Sequence, residues 1–301
     1  MNSKTETIRW RHWAVYLPIY LLHRFIHLLP RSVWSALAKG IGTLCYWLIF
    51  SRRKLALKNL DHVYGATKTE KEKRAIAKAS FQNFSNSLFE ILWARHINAQ
   101  NYERFIERDP ESWRRISEAR KKGGVIILLG HIGNAELLAV GAGYQGLPIH
   151  YVARSLKNPL LDRLIDGLRC SGSVGVVYAK GALPRLKEIL LHNEMIAILL
   201  DQRSQPLRGG IIVPFLGQPA LTNRHLAELA LDTGSSIMHF YPQPLGNTRW
   251  RAIYEAPIQY TPTGDREKDV YALTQKCNEA LDATIRKYPE MWFWVHDRWR
   301  M

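Results

Sequence analysis

The segment Gly130-His131-Ile132-Gly133-Asn134-Ala135-Glu136 gathers, in one short stretch, residue types that proton-transfer chemistry needs. A histidine titrates near neutral pH, so His131 can take a proton from a hydroxyl. A carboxylate such as Glu136 can fix its tautomer and stabilise the imidazolium that forms. Two other polar groups follow apolar runs: Arg154 comes directly after His150 to Ala153, and Asp201-Gln202-Arg203 directly after Met195 to Leu200. If these runs are strands of one sheet, a base, a carboxylate and a cation converge in one cleft. Asp201 and Glu136 are then both candidates for the partner of His131. In the bland alternative, Arg154 and Asp201 form an ion pair capping the sheet. Neither an H-E-x-x-H motif nor a Cys/His cluster accompanies His131, which argues against metal chemistry. The chain has no G-x-S-x-G elbow and no P-loop, so a serine hydrolase and an NTPase lose support.

These groups need a scaffold, and the pattern around them supplies one. Gly123-Gly124 introduces Val125-Ile126-Ile127-Leu128-Leu129, closed by Gly130, which reads as a fully buried strand ending at His131. Further strands are expected at His150 to Ala153, Val174 to Tyr178, Met195 to Leu200, Ile211 to Phe215, Ser236 to Tyr241 and Trp250 to Tyr254. Helices are expected at Lys68 to Ile97, Glu136 to Ala142, Asn158 to Cys170, Leu183 to His192 and Thr222 to Thr233. Strands alternating with helices predict an α/β fold with both sheet faces covered, whose active site lies at the carboxyl ends of the strands. No linker or repeat divides the chain after residue 50, so residues 51–301 read as one domain.

Residues 1–50 differ. Trp13 to Leu22 is apolar and is followed by His23 and Arg24, Val33 to Phe50 is apolar but interrupted by Lys39, and no signal-peptide processing site follows. Trp10, Trp13, Tyr16, Tyr20, Trp34, Tyr46 and Trp47 are aromatics of the kind found at bilayer interfaces. Arg9, Arg11, Arg24, Arg31, Arg52, Arg53 and Lys54 can meet anionic headgroups. The segment is therefore expected to anchor the protein to a membrane, with an ordinary helical hairpin packed on a core as the alternative. Across all 301 residues there are 42 Lys and Arg against 26 Asp and Glu, a net charge of +16 that attracts anionic lipids, acidic proteins or nucleic acid. Nucleic acid is disfavoured, because the aromatics cluster in the first fifty residues and in Trp292-Phe293-Trp294 and no nucleic-acid motif occurs. The cysteines Cys45, Cys170 and Cys277 are far apart and odd in number, as expected of a reducing compartment and of buried small side chains.

Several motifs in order resemble the bacterial lysophospholipid acyltransferase-like enzymes that carry out late acylation of lipid A, the lauroyl and myristoyl transferases. They are Leu29-Pro30; Arg52-Arg53 to Asn59-Leu60; the His131 segment; Arg154 to Asp162; Asp201-Gln202-Arg203; Val213 to Gly217 with Pro219-Ala220; and Tyr288 to His296. Asp297 stands where a basic residue usually follows the terminal histidine, and Ala135 replaces a common aromatic. The resemblance implies a glycerolphosphate acyltransferase-like fold on an N-terminal membrane anchor. It also implies transfer of a fatty acyl group from an acyl carrier protein thioester to a lipid hydroxyl, on the cytoplasmic side of the bacterial inner membrane. No cofactor is expected. In this reading His131 is the general base, Glu136 or Asp201 its partner, and Arg154 the stabiliser of the oxyanion. Asn158, Gln202, Arg203 and His296 would contact substrate, and Arg114, Arg115, Arg120, Lys121 and Lys122 would dock the acidic carrier. Acceptors other than a lipid A precursor, such as another glycolipid, an aminolipid or a pigment precursor, are compatible with the same motifs.

Overall fold

A computed structural model describes residues 8–169, 174–246 and 249–301. The amino-terminal part is helical: α1 (Trp10–Ile26), α2 (Arg31–Leu48), α3 (Phe50–Tyr64) and α4 (Glu70–Trp93). Pro30 caps α2 and separates it from α1. Thr69 and Glu72 close a reciprocal capping box at the start of α4, satisfying amide groups that a helix start leaves open. The rest alternates: β1 (Ile106–Arg108), α5 (Pro110–Lys122), β2 (Val125–Leu129), α6 (Ala135–Tyr144), β3 (Ile149–Ala153), α7 (Pro159–Arg169), β4 (Gly175–Tyr178), α8 (Leu183–Leu191), β5 (Met195–Leu199), β6 (Gly210–Phe215), β7 (Gln218–Asn223), α9 (His225–Thr233), β8 (Ser236–Gly246), β9 (Arg249–Tyr254) and α10 (Arg266–Lys287).

Seven strands form one mixed sheet in the order β1-β9-β8-β2-β5-β3-β4. Only the β8–β9 pair is antiparallel. All five residues of β2 are buried, as expected of a central strand covered on both faces. Helices α8, α9 and α10 pack in succession, whereas α4 contacts α2, α6 and α7.

Two expectations need correction. Ile211 to Phe215 does not join the main sheet; it forms a separate antiparallel hairpin with β7. In that hairpin Pro214 lies opposite Pro219, and two residues without an N–H donor are poorly suited to a central strand. Because residues 218–223 are used as β7, the helix expected from Thr222 begins at His225. At the amino terminus, no single described helix is long and apolar enough to cross a membrane. The pair Arg31–Leu48 and Phe50–Thr67 meets the length and composition only together, bent by 90°. Cys277 is buried, Cys45 is partly buried, and Cys170 lies outside the described residues.

Candidate active site

Parallel pairing of β2 with β5 sets the site. The register matches Leu129 with Leu199, so the residues two positions beyond each, His131 and Asp201, emerge side by side from adjacent carboxyl ends. His131 Nδ1 lies 2.8 Å from Asp201 Oδ1, and the His131 backbone N–H donates to Oδ2 at 2.9 Å. Trp292 donates its indole N–H to the same Oδ2 at 2.7 Å. Asp201 is 1% exposed. Burial opposes its charge, but the adjoining imidazole, the two bonds from His131 and the indole outweigh it and hold the carboxyl at about 2. An ionised acceptor at Nδ1 fixes the proton there and leaves Nε2 as the basic nitrogen. The Gln202 side-chain amide donates to Nε2 at 3.2 Å.

The loop carrying His131 is clamped from α4 and from the carboxyl-terminal segment. Asn134 caps α6 through its Oδ1 and gives its Nδ2 to the fully buried Glu90, which also accepts from the Trp250 indole and faces Arg31 at 3.6 Å. Burial pushes the Glu90 carboxyl up, against these hydrogen bonds and the arginine. Gly133 has a φ of +57°, and a Cβ there would lie 2.7 Å from Pro242 and 2.8 Å from Met291, so both conformation and space require glycine. Gly133 donates its N–H to Met291 O, and Ile132 makes a β-bridge with Trp292. The same segment is held by Ser80 and Asn83 of α4, which donate to Trp292 O and Glu290 O. Asn59 of α3 donates to Trp294 O and His296 O.

Beside His131 lies a cavity of about 140 Å³ lined mainly by apolar side chains, among them Phe84, Leu88, Ile91, Tyr151, Leu199 and Phe293. The Phe293 ring sits 6.3 Å from the imidazole, centroid to centroid. A histidine with an Nε2 free of the ring proton, at the wall of an apolar cleft, suits a reaction on a hydrocarbon-bearing substrate. Among the described residues no group of three or more His, Cys, Asp or Glu is arranged to hold a metal ion.

The remaining candidates are distributed unevenly. Gln202 joins His131, and His296 lies close behind, accepting the Arg203 backbone N–H on Nε2 at 3.0 Å. Burial lowers the His296 pKa, which agrees with an unprotonated Nε2. The Arg203 guanidinium turns away to Arg300 O. Arg154 follows β3 at the same sheet edge, yet it is exposed and does not line the cavity. Asn158 caps α7 and donates to His12 O, tying α7 to α1 rather than facing the cavity. Glu136 stands in the first turn of α6, and its side chain lies outside the described residues. The basic run on α5 lies at the opposite end of β2 from His131. There Arg114 is paired with Glu111 and Glu118, and Arg115 with Glu111 and Glu255.

Trp292, Asn134 and Glu90 were not singled out by sequence reasoning. Asn134 stood inside the recognised segment, and Trp292 stood in an aromatic cluster whose indole N–H gave a reason to look for a buried acceptor. Glu90 was visible only as one acidic residue within an apolar helix face.

Comparison with known proteins agrees with this chemistry. The chain is 24% identical over 226 residues, 73% of its own length and 69% of the relative's, to a phosphatidylinositol mannoside acyltransferase of Mycobacterium tuberculosis strain H37Rv. It is 23% identical over 225 residues, with the same coverage, to the phosphatidylinositol mannoside acyltransferase of strain CDC 1551. A histidine on a buried carboxylate, an apolar cleft and a family model that matches residues 1–301 lead to one conclusion: this chain belongs to the bacterial lipid A biosynthesis acyltransferase family and is an acyltransferase acting on lipid.

Proposed function

We propose that the protein transfers a fatty acyl chain from an acyl carrier protein thioester to a hydroxyl of a lipid A precursor. The observation that carries the acyl-transfer chemistry is His131, held through Nδ1 by buried Asp201 at the wall of an apolar cavity. The hydroxyl oxygen attacks the thioester carbonyl while His131 Nε2 accepts its proton, and Asp201 stabilises the resulting imidazolium. Collapse of the tetrahedral intermediate breaks the carbon–sulfur bond, and the imidazolium returns the proton to the departing sulfur. No acyl-enzyme is needed, and no cofactor enters the scheme. The acyl chain occupies the cleft lined by Phe84, Leu88 and Ile91.

The net charge of +16 suits an anionic acceptor, an acidic carrier and the cytoplasmic face of the bacterial inner membrane, where we place the enzyme. A second acceptor is favoured by one specific observation: the relatives named above are phosphatidylinositol mannoside acyltransferases. A mannosylated phospholipid is therefore the alternative to a lipid A precursor.

The test is reconstitution of purified protein with acyl carrier protein thioester and each acceptor, with products read by mass spectrometry. The wild type is expected to acylate the lipid A precursor. His131→Ala is expected to give no product while keeping the wild-type circular dichroism and melting temperature. Product formation by His131→Ala at the wild-type rate would overturn the base assignment, and product on the mannolipid alone would replace the acceptor.

A further inference from the structure

Glu90, on α4, is fully buried, and among the described residues the polar groups that meet it are all donors. They come from four elements. Asn134 of the His131 loop donates Nδ2 to Oε2 at 2.8 Å, and Trp250 of β9 donates its indole N–H to Oε1 at 3.2 Å. Arg31 of α2 lies 3.6 Å from the same Oε1. Asn86, one turn earlier on α4, accepts the Ser35 hydroxyl on its Oδ1, which leaves its Nδ2 for Glu90. A carboxylate offers acceptors only, so it fits this ring of donors, and an amide in its place would set N–H against N–H.

Stability alone does not account for this arrangement. Arg31 is the first residue of α2, where the helix dipole disfavours a cation, and its side chain is only 14% exposed, over the rings of Trp93 and Phe105 at 4.9 and 4.6 Å. Burial pushes its pKa down and that of Glu90 up. A buried ion pair contributes little net stability, and apolar side chains of the same volume often do better. What such a pair fixes is geometry. Asn134 stands three residues after His131, and its Oδ1 caps α6 by accepting the Leu137 N–H at 3.0 Å. With Nδ2 held by Glu90 the amide cannot turn, so the end of the loop and the start of α6 share one fixed point. Ser87, on the same face of α4, adds a bond from its hydroxyl to Gly133 O at 3.3 Å.

We infer that Glu90 is a positioning residue for the transfer reaction: countered by Arg31, it holds Asn134 and, through it, the loop that presents His131 to substrate. Glu90 does not line the cavity, so it acts through Asn134 and not by contact with the acyl chain. Arg31 extends the device to the start of α2, which thereby bears on a loop far from it in sequence. The kinetic consequence rests on the acyl-transfer reading; the hold on the loop does not.

The experiment uses the full chain purified in detergent. It reads hydrogen–deuterium exchange of the peptide spanning residues 130–137 with no substrate present, beside steady-state kinetics with carrier thioester and lipid acceptor. Glu90→Gln should raise exchange of that peptide about ten-fold, with the peptides of β2 and β5 unchanged, and lower kcat about 10- to 100-fold at little changed KM. Asn134→Asp alone sets two buried carboxylates within hydrogen-bond distance and should lose at least as much. The decisive variant is the swap, Glu90→Gln/Asn134→Asp. Its glutamine keeps an oxygen toward Trp250 and Arg31 and gives its N–H to the aspartate, whose other oxygen still caps α6. Loop exchange and kcat should therefore return to within about three-fold of the wild type. Additive losses in the swap would overturn the proposal, and so would wild-type loop exchange or an unchanged kcat in Glu90→Gln. Circular dichroism identifies any variant that has not folded. Asn134→Ser, which keeps a capping oxygen and loses only the reach to Glu90, then takes its place with the same expected losses, and its failure to show them would overturn the proposal. If the wild type itself transfers no acyl group, the reaction reading fails, while the exchange measurements still decide whether Glu90 holds the loop.

Discussion

Trp292 acts on His131 without touching it: its indole N–H binds Asp201 Oδ2 at 2.7 Å, while Oδ1 of the same carboxylate holds His131 Nδ1 at 2.8 Å. The carboxylate is buried, so its orientation is set by these donors and not by water. Trp292 is therefore a positioning residue. Its ring also packs edge-on against Trp294 at 4.7 Å, so a phenylalanine at 292 keeps most of the packing and loses only the donor.

Trp292→Phe should lower kcat roughly 10- to 100-fold, the equivalent of one hydrogen bond to a charged group, with KM for both substrates little changed. Steady-state kinetics with the donor and acceptor varied in turn checks this. A rise in KM at constant kcat would mean that the indole shapes the substrate site instead.

Asp201→Asn should reduce kcat by about 10² to 10⁴, because an amide can present N–H to Nδ1 and shift the ring proton to Nε2, removing the base. The double variant His131→Ala/Asp201→Asn should be no slower than His131→Ala alone, since the carboxylate acts only through the imidazole. Additive losses in the double-mutant cycle would show that Asp201 has a separate role.

Much of this site was legible in the sequence, for identifiable reasons. The all-apolar run Val125 to Leu129 bounded by glycines could hardly be other than a buried strand, so His131 was placed correctly at its carboxyl end. Likewise Asp201 followed Met195 to Leu200. What could not be read was which strands are neighbours. The pairing of β2 with β5 brings Asp201 to Nδ1, whereas β3 lies one strand farther away, and Arg154 beyond it stays in solvent. Trp292 reaches the carboxylate from a position 91 residues later through an isolated β-bridge at Ile132, which no local pattern encodes. The hairpin of β6 and β7 takes the place of the expected sheet strand and helix start because a short apolar run carries no label for its partner.

The apolar cavity predicts control of chain length. Ile91→Phe narrows it from α4, and Leu199→Ala widens it from β5. Each methylene gained or lost changes burial by about 0.8 kcal/mol, roughly a four-fold change in kcat/KM per carbon. Competition between carrier thioesters of different length should therefore shift toward shorter chains for Ile91→Phe and toward longer ones for Leu199→Ala. An unchanged product distribution in both variants would place the acyl chain outside this cavity.

Acid stability should depend on His239, which is 2% exposed on β8 between Leu128 O and Thr284 Oγ1. Burial pushes its pKa down to about 4, against a hydrogen bond to Leu128 that favours the charged form. Between pH 6.5 and about 4 the folded protein thus leaves His239 neutral while the unfolded chain protonates it, and stability from this group falls as pH falls. Asp282 works in the opposite sense. Burial raises it to about 7, so the folded state holds its proton and its contribution falls as pH rises toward 7. The slope of the wild type alone therefore mixes these two with the other shifted groups, Glu90 and His296 among them. The difference between wild type and His239→Gln isolates the histidine, because Asp282 and the other shifted groups are common to both. That difference should move by about 2 to 3 kcal/mol between pH 7.5 and pH 4.5, with the advantage of the wild type shrinking in acid. Urea unfolding at the two pH values measures it, and a constant difference would show that His239 is already neutral in the unfolded chain or charged in the folded one.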